Sequence, residues 1–175
     1  MRSYGAEVID ADKISHQVIA FGTGAYKRIV RIFGRAILRK DGRIDRAKLG
    51  EIVFNNKRLL GALNRIIHPQ VIRIIRKKIK KSSRKIIILD APLLIEAGLR
   101  RLPDKLIVVK INRKQQLQRL AKKTKLKKPQ ILQRIRAQVP LSAKVRLADF
   151  VIDNSATLKE TEKQVKAIRR LLWKS

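Results

Sequence analysis

Four short apolar runs punctuate the chain: Glu7-Val8-Ile9-Asp10, Lys85-Ile86-Ile87-Ile88-Leu89-Asp90, Lys105-Leu106-Ile107-Val108-Val109-Lys110 and Phe150-Val151-Ile152-Asp153. Each gathers β-branched or Leu residues without polar alternation, which predicts strands of a parallel sheet covered on both faces. Between them, apolar positions recur at helical spacing. Asp45 is placed to cap a helix through Phe54. Leu59, Leu60, Leu63, Ile66 and Ile67 fall on one face of a helix over residues 57–67. Pro69 suits a first helical position, so His68-Pro69 reads as the junction to a second helix striped by Val71, Ile72, Ile75 and Ile79. Pro129 opens a helix over residues 130–138, and a last one runs from about Leu158 to Trp173.

Strands separated by helices predict an α/β fold with a parallel sheet. The stretch between Asp10 and Lys85 is too long for one crossover helix, so residues 20–82 read as a helical insert, with a turn at Asp41-Gly42. Residues 113–140 read as a second, smaller helical excursion, or lid. Residues 1–19, 83–112 and 141–175 are left as the core domain.

Charge alters this picture most. Lys and Arg number 44 against 13 Asp and Glu, for a net charge of +31, so a polyanion or a phosphorylated small molecule is the natural partner. A basic nucleic-acid-binding protein is one such reading. It is weakened because the cations lie along nearly the whole chain and aromatics, at 4%, are too few to stack many bases. A lineage-wide basic bias on solvated faces is the plain alternative. The absence of Cys excludes disulfides and thiolate chemistry, and two His, His16 and His68, make a His-built metal site a poor reading. No apolar run is long enough to span a bilayer, and a cytoplasmic location is expected.

Candidate chemistry gathers at strand ends. Ligands of open α/β sheets lie beyond the carboxyl ends of strands, where Asp10 and Asp12 follow the first run. An Asp there can take a proton from a substrate hydroxyl, or can simply cap the helix that begins near Lys13. Asp90 ends an apolar run of Walker B type and can hold Mg²⁺ directly or through water. Arg113, Arg119, Lys122, Lys123, Arg134 and Arg136 make the second excursion cationic, either as a flap over phosphates or as an exposed basic helix pair.

Taken together and in order, these pieces resemble the dephospho-coenzyme A kinase family. The likeness rests on Gly5-Ala6-Glu7-Val8-Ile9-Asp10-Ala11-Asp12, Phe33-Gly34, Asp41-Gly42, Asp45-Arg46 with Leu49 and Phe54, and Leu63-Asn64 with His68-Pro69. It continues through Pro92-Leu93-Leu94-Ile95-Glu96, Arg134-Ile135, Ala137-Gln138, Lys144, Ala148-Asp149 and Val151-Ile152-Asp153-Asn154. The resemblance implies a three-layer P-loop fold with a helical coenzyme-A-binding domain and a small lid. It implies transfer of the ATP γ-phosphate to the ribose 3′-hydroxyl of dephospho-CoA, with Mg²⁺, as the last step of coenzyme A synthesis. On this pattern Asp12 is the catalytic base and Asp10 supports it. His68 and Glu96 serve the acceptor, Arg119, Lys123 and Arg136 the phosphates, and Asn154 the adenine. Lys123 stands where the family often has Arg, and it offers no bidentate fork.

The family pattern opens with a strand, a glycine-rich loop ending Gly-Lys-Ser/Thr, and a helix. This sequence has no Gly-Lys dipeptide, and Met1-Arg2-Ser3-Tyr4 resembles the tail of that helix. The expected consequences are a missing central strand, an incomplete donor side, little or no kinase activity and poor stability, most simply from a mis-called start. Rival readings are a non-catalytic nucleic-acid-binding or CoA-binding remnant of the kinase fold.

Overall fold

The computed structural model describes residues 5–124 and 126–172; Met1-Arg2-Ser3-Tyr4 and Trp173 lie outside them. The chain divides after Pro92 into two compact units. In the first, strand β1 (Glu7–Asp10) leads into helices α1 (Ala11–Val18), α2 (Gly24–Phe33), α3 (Arg46–Phe54) and α4 (Lys57–Lys81), then strand β2 (Ile87–Asp90). In the second come β3 (Ile107–Lys110), α5 (Arg113–Lys123), α6 (Lys128–Arg136), α7 (Leu141–Leu147), β4 (Phe150–Asp153) and α8 (Leu158–Leu172). The four strands fall on the four apolar runs.

Both ladders are parallel, as expected. β1 pairs with β2 in the register Glu7↔Ile87 to Asp10↔Asp90, and β3 pairs with β4 from Ile107↔Phe150 to Lys110↔Asp153. Full cover on both faces is not found. Ile9, Val108 and Ile152 are buried, but the apolar residues of β2 are only half-buried and Val109 is 57% exposed. Each ladder holds two strands among the described residues, so every strand is an edge strand and lateral cover is limited.

The first unit is organised around α4, against which α1, α2 and α3 pack. Leu63, Ile66, Val71 and Ile75 of α4 are buried, and so are Ile14 and Val18 of α1, Ile29 of α2, and Leu49 and Val53 of α3. Asn56 caps α4 by accepting the Arg58 and Leu59 amides, and Ser82 at its far end donates its hydroxyl to the Glu7 carboxylate of β1.

The predicted junction at His68-Pro69 does not exist: α4 is one helix of 25 residues with Pro69 inside it. An interior Pro costs about 3 kcal/mol. Burying each of four aliphatic side chains contributes about 1.5–3 kcal/mol. The stripe continues across the Pro and outweighs it. Around Asp41-Gly42 the expected turn is present: the Arg39 amide donates to the Arg43 carbonyl at 2.8 Å, Gly42 takes φ +77°, and Leu38 bridges Ile44.

In the second unit α7 packs on β3, α8 on β4, and α5 on α6. Pro129 lies in the first turn of α6, as its position predicts. Among the described residues no helix is long and apolar enough to cross a membrane.

Candidate functional site

The first unit gathers three of the predicted carboxylates at the carboxyl ends of its strands. Asp10 and Asp90 are register partners at the ends of β1 and β2. Asp12 follows in the first turn of α1 and is exposed. The sequence left capping open for both Asp10 and Asp12, and the structure gives the cap to Asp10. Asp10 is the N-cap of α1: its Oδ1 accepts the Lys13 amide at 2.8 Å. Asp12 makes no cap and faces solvent near the positive end of the helix dipole, where a carboxylate is stabilised and a phosphate is drawn in.

His68 sits in the middle of α4, which packs on α1, and is half-buried. Desolvation holds its pKa below the ordinary histidine value, which favours the neutral imidazole. Asp90 is exposed. Among the described residues no group of three or more His, Cys, Asp or Glu is arranged to hold a metal ion.

The second unit carries the remaining candidates. Glu96 lies in the turn after Pro92. Its Oε1 accepts the Lys144 ammonium at 2.7 Å and the Val139 amide at 3.0 Å, with both charged side chains no more than 15% exposed. Its Oε2 is buried, with no hydrogen-bond partner among the described residues. Glu96 thus ties its turn to the start of α7 from within the unit.

Arg119 and Asn154 come together: Arg119 Nη2 donates to the Asn154 carbonyl at 3.2 Å. The loop after β4 that holds Asn154 is built from several sides. The Asn154 amide donates to the Lys110 carbonyl, and Asn154 Oδ1 accepts the Thr161 hydroxyl. Ser155 Oγ accepts the Asn112 amide, and the Ser155 carbonyl accepts from Gln115. Asp153 is held below the usual carboxylate range by the Ser155 hydroxyl and amide and by Lys110, whose Nζ lies 3.1 Å away. Lys123 and Arg136 are the last residues of α5 and α6, and both are exposed.

One feature of the first unit escaped the sequence reading. A cleft of about 430 Å³ is lined by His16, Ile19, Ala20, Phe21, Arg43, Ile44 and Arg46. The missed signal is helical spacing. Asp12 and His16 are four residues apart on the exposed face of α1, while Ile14 and Val18, also four apart, are buried.

Comparison with known proteins points to one family. A family model described as dephospho-CoA kinase matches residues 1–160. The dephospho-CoA kinase of Carboxydothermus hydrogenoformans is 44% identical over 178 residues, covering 99% of this chain and 86% of the relative. That of Geobacillus kaustophilus is 43% identical, covering 96% and 85%. Among solved structures, TT1252 from Thermus thermophilus superposes with a TM-score of 0.80 at 27% identity, over 98% of this chain and 87% of that one. The dephospho-CoA kinase from Campylobacter jejuni gives a TM-score of 0.66 at 30% identity, over 97% and 87%. With strands, helices and carboxylates in this order, and a family model spanning most of its length, the chain belongs to the dephospho-CoA kinase family.

Proposed function

We propose that this chain serves the transfer of the ATP γ-phosphoryl group to the ribose 3′-hydroxyl of dephospho-CoA, giving CoA and ADP in the cytoplasm. The observation that carries this reading is the grouping of Asp10, Asp12 and Asp90 at the carboxyl ends of a parallel strand pair. Asp12 is the base. Its carboxylate takes the 3′-hydroxyl proton as that oxygen bonds to the γ-phosphorus and the bond to ADP breaks. Asp10 acts through Asp12, by fixing the first turn of α1.

His68, held neutral by burial, offers a hydrogen bond to the acceptor rather than a charge. Glu96 serves from behind, by holding its turn against Lys144. Arg119, Lys123 and Arg136 neutralise the transferring phosphates, and Asn154 presents its carboxamide to the adenine.

Mg²⁺ is ordinarily held by one or two carboxylates, with waters and substrate phosphates completing its shell. Asp90, an exposed carboxylate beside Asp10, fits that habit and would hold the ion directly or through water, where the ion would neutralise phosphate charge. On the donor side, the 175 residues contain no Gly-Lys dipeptide, so a P-loop Lys is not among them. This chain alone is expected to bind the acceptor with little turnover.

Calorimetric titration with dephospho-CoA tests the acceptor reading; no binding by folded protein overturns it. Joining a glycine-rich loop segment of a family member ahead of Gly5 tests the base. In that protein Asp12→Asn should lower kcat by roughly 10²–10⁴-fold in an ADP-release assay, with the KM for ATP little changed. An unchanged kcat removes Asp12 from the role.

A further inference from the structure

Between Glu51 and Asp90 the sequence holds no Asp or Glu. The cations of this stretch gather in the last turns of α4 and just past it, where Arg73, Arg76, Lys77, Lys80, Lys81 and Arg84 are all exposed. Among the described residues none of these takes part in an ion pair. The turn that carries Arg84 is fixed on the helix end: its amide donates to Ser82 Oγ at 3.2 Å.

This patch lies at the far end of the strands from the candidate carboxylates. Ser82 donates its hydroxyl to Glu7, the first residue of β1, and Arg84 and Lys85 lead into β2. Asp10 and Asp90 stand at the carboxyl ends, about 10 Å along the pair. The phosphoryl transfer therefore leaves these cations without a task.

The fold leaves most of them without one too. Lys80 and Lys81 in the last turn complement the helix dipole, but Arg73, Arg76 and Lys77 lie before that turn. Arg73 and Lys77, Arg76 and Lys80, and Lys77 and Lys81 are like charges four residues apart, a spacing that weakens a helix. Val71 and Ile75 on the opposite side, 7% and 1% exposed, hold α4 in place against that repulsion.

The arrangement says what such a face would meet. At the helical period, Arg76 and Lys80 fall on one flank, Lys77 and Lys81 on the other, and Arg73 between them. From Arg73 to Lys81 the ridge runs about 12 Å. Two flanks of cations match two rows of phosphates bordering a groove. The major groove of B-form DNA, about 12 Å wide, admits a helix, whereas that of A-form RNA is deep and narrow. Residues 73–85 include no Asn, Gln or aromatic residue, so the contacts go to phosphates and bases are not stacked. A helix lying in a lipid surface would need an apolar face open to the lipid, and here Val71 and Ile75 are spent inside the protein.

We propose that the C-terminal half of α4, with the turn after it, is a docking surface for double-stranded DNA, bound through its phosphates without regard to sequence. This is a second binding function, independent of the acceptor reading.

Fluorescence anisotropy on the 175-residue chain tests it, with labelled DNA duplexes of about 20 base pairs in NaCl from about 50 to about 200 mM. Two duplexes of unrelated sequence should bind within about threefold of each other. Arg73→Gln/Arg76→Gln/Lys80→Gln should flatten the slope of log affinity against log salt by about 2.7 and weaken binding about 30-fold or more at about 0.1 M. Lys159→Gln/Lys163→Gln/Lys166→Gln removes the same charge from exposed positions of α8, where Glu160 and Glu162 are interspersed, and should change affinity by no more than about threefold.

Equal losses in the two triple variants would assign binding to the general field and overturn the surface. So would folded wild type that binds no duplex at about 50 mM NaCl. A preference of about tenfold for an RNA duplex of the same length overturns the assignment to DNA. Capture by phosphatidylserine vesicles that the α4 triple abolishes, with DNA binding untouched, overturns it in favour of a membrane. Should the α4 triple not fold, the single Arg76→Gln reads the same effect as a slope flatter by about 0.9, and an unchanged slope there counts against the proposal.

Discussion

At the scale of single residues, burial and hydrogen bonding sort the titratable groups into separate pH windows. Asp45 is held below the usual carboxylate range by the Lys48 amide, and Asp149 by the Leu106 amide. A depressed carboxylate contributes stability above about pH 3.9, lost as pH falls through its folded-state value. His68 acts higher on the scale. Its folded-state pKa is lowered by desolvation, so the unfolded chain takes up its proton first as the solution is acidified. The His68 contribution is present above about pH 6.5 and is lost as pH falls from there through the folded-state value. His68→Gln should flatten the slope of unfolding free energy just below about pH 6.5 while leaving the carboxylate-driven acid limb in place. Urea titrations at several pH values check this, and an unchanged slope near pH 6 would show that another group sets it. Of the candidate side chains, Asp10, Asp12 and Asp90 had their place legible in the sequence, because a strand end is recognisable. Asp10 and Asp12 were each readable in two roles, since capping and catalysis ask for the same residue type at the same place. The partner of Glu96 was not legible at all: Lys144 is 48 residues away, and only tertiary packing brings them to 2.7 Å.

At the scale of elements, strands were more legible than helix boundaries. Compact apolar runs bounded by charged residues have few other readings, and all four became strands. Helix α2 was never delimited in the sequence, although Thr23 caps it and Gly34 stops it at φ +75°. Its signals lie within a single turn at each end. The break expected at Pro69 failed for a different reason: a local rule met a longer stripe, and the stripe prevailed. This makes α4 a place to test the balance. Pro69 gives the Arg65 carbonyl no amide and crowds it. Pro69→Ala should therefore raise stability by about 1–3 kcal/mol, read as a higher urea midpoint at unchanged m value. A lower midpoint would mean that the helix path set by Pro69 is itself needed for the packing of α1, α2 and α3.

At the scale of the whole molecule, the charge of +31 dominates. Ion pairs such as Lys105–Asp149 and Lys110–Asp153 are largely solvent-exposed and offset little of it. Like charges in excess repel one another more strongly in the compact state than in the expanded one, so the field that draws in phosphates also works against folding. Raising ionic strength from 0.1 to 1 M shortens the screening length from about 10 to about 3 Å. Thermal melts over that range in NaCl should show Tm rising by roughly 5 °C, with most of the gain below about 0.3 M. Salting-out, by contrast, would add stability in proportion to salt up to 1 M. Sulfate and pyrophosphate should exceed chloride at equal ionic strength, because a multivalent anion that binds the folded state stabilises it by mass action. A Tm that stays flat or falls with NaCl would show that self-repulsion does not limit this fold, and that its cations are spaced widely enough to be carried at little cost.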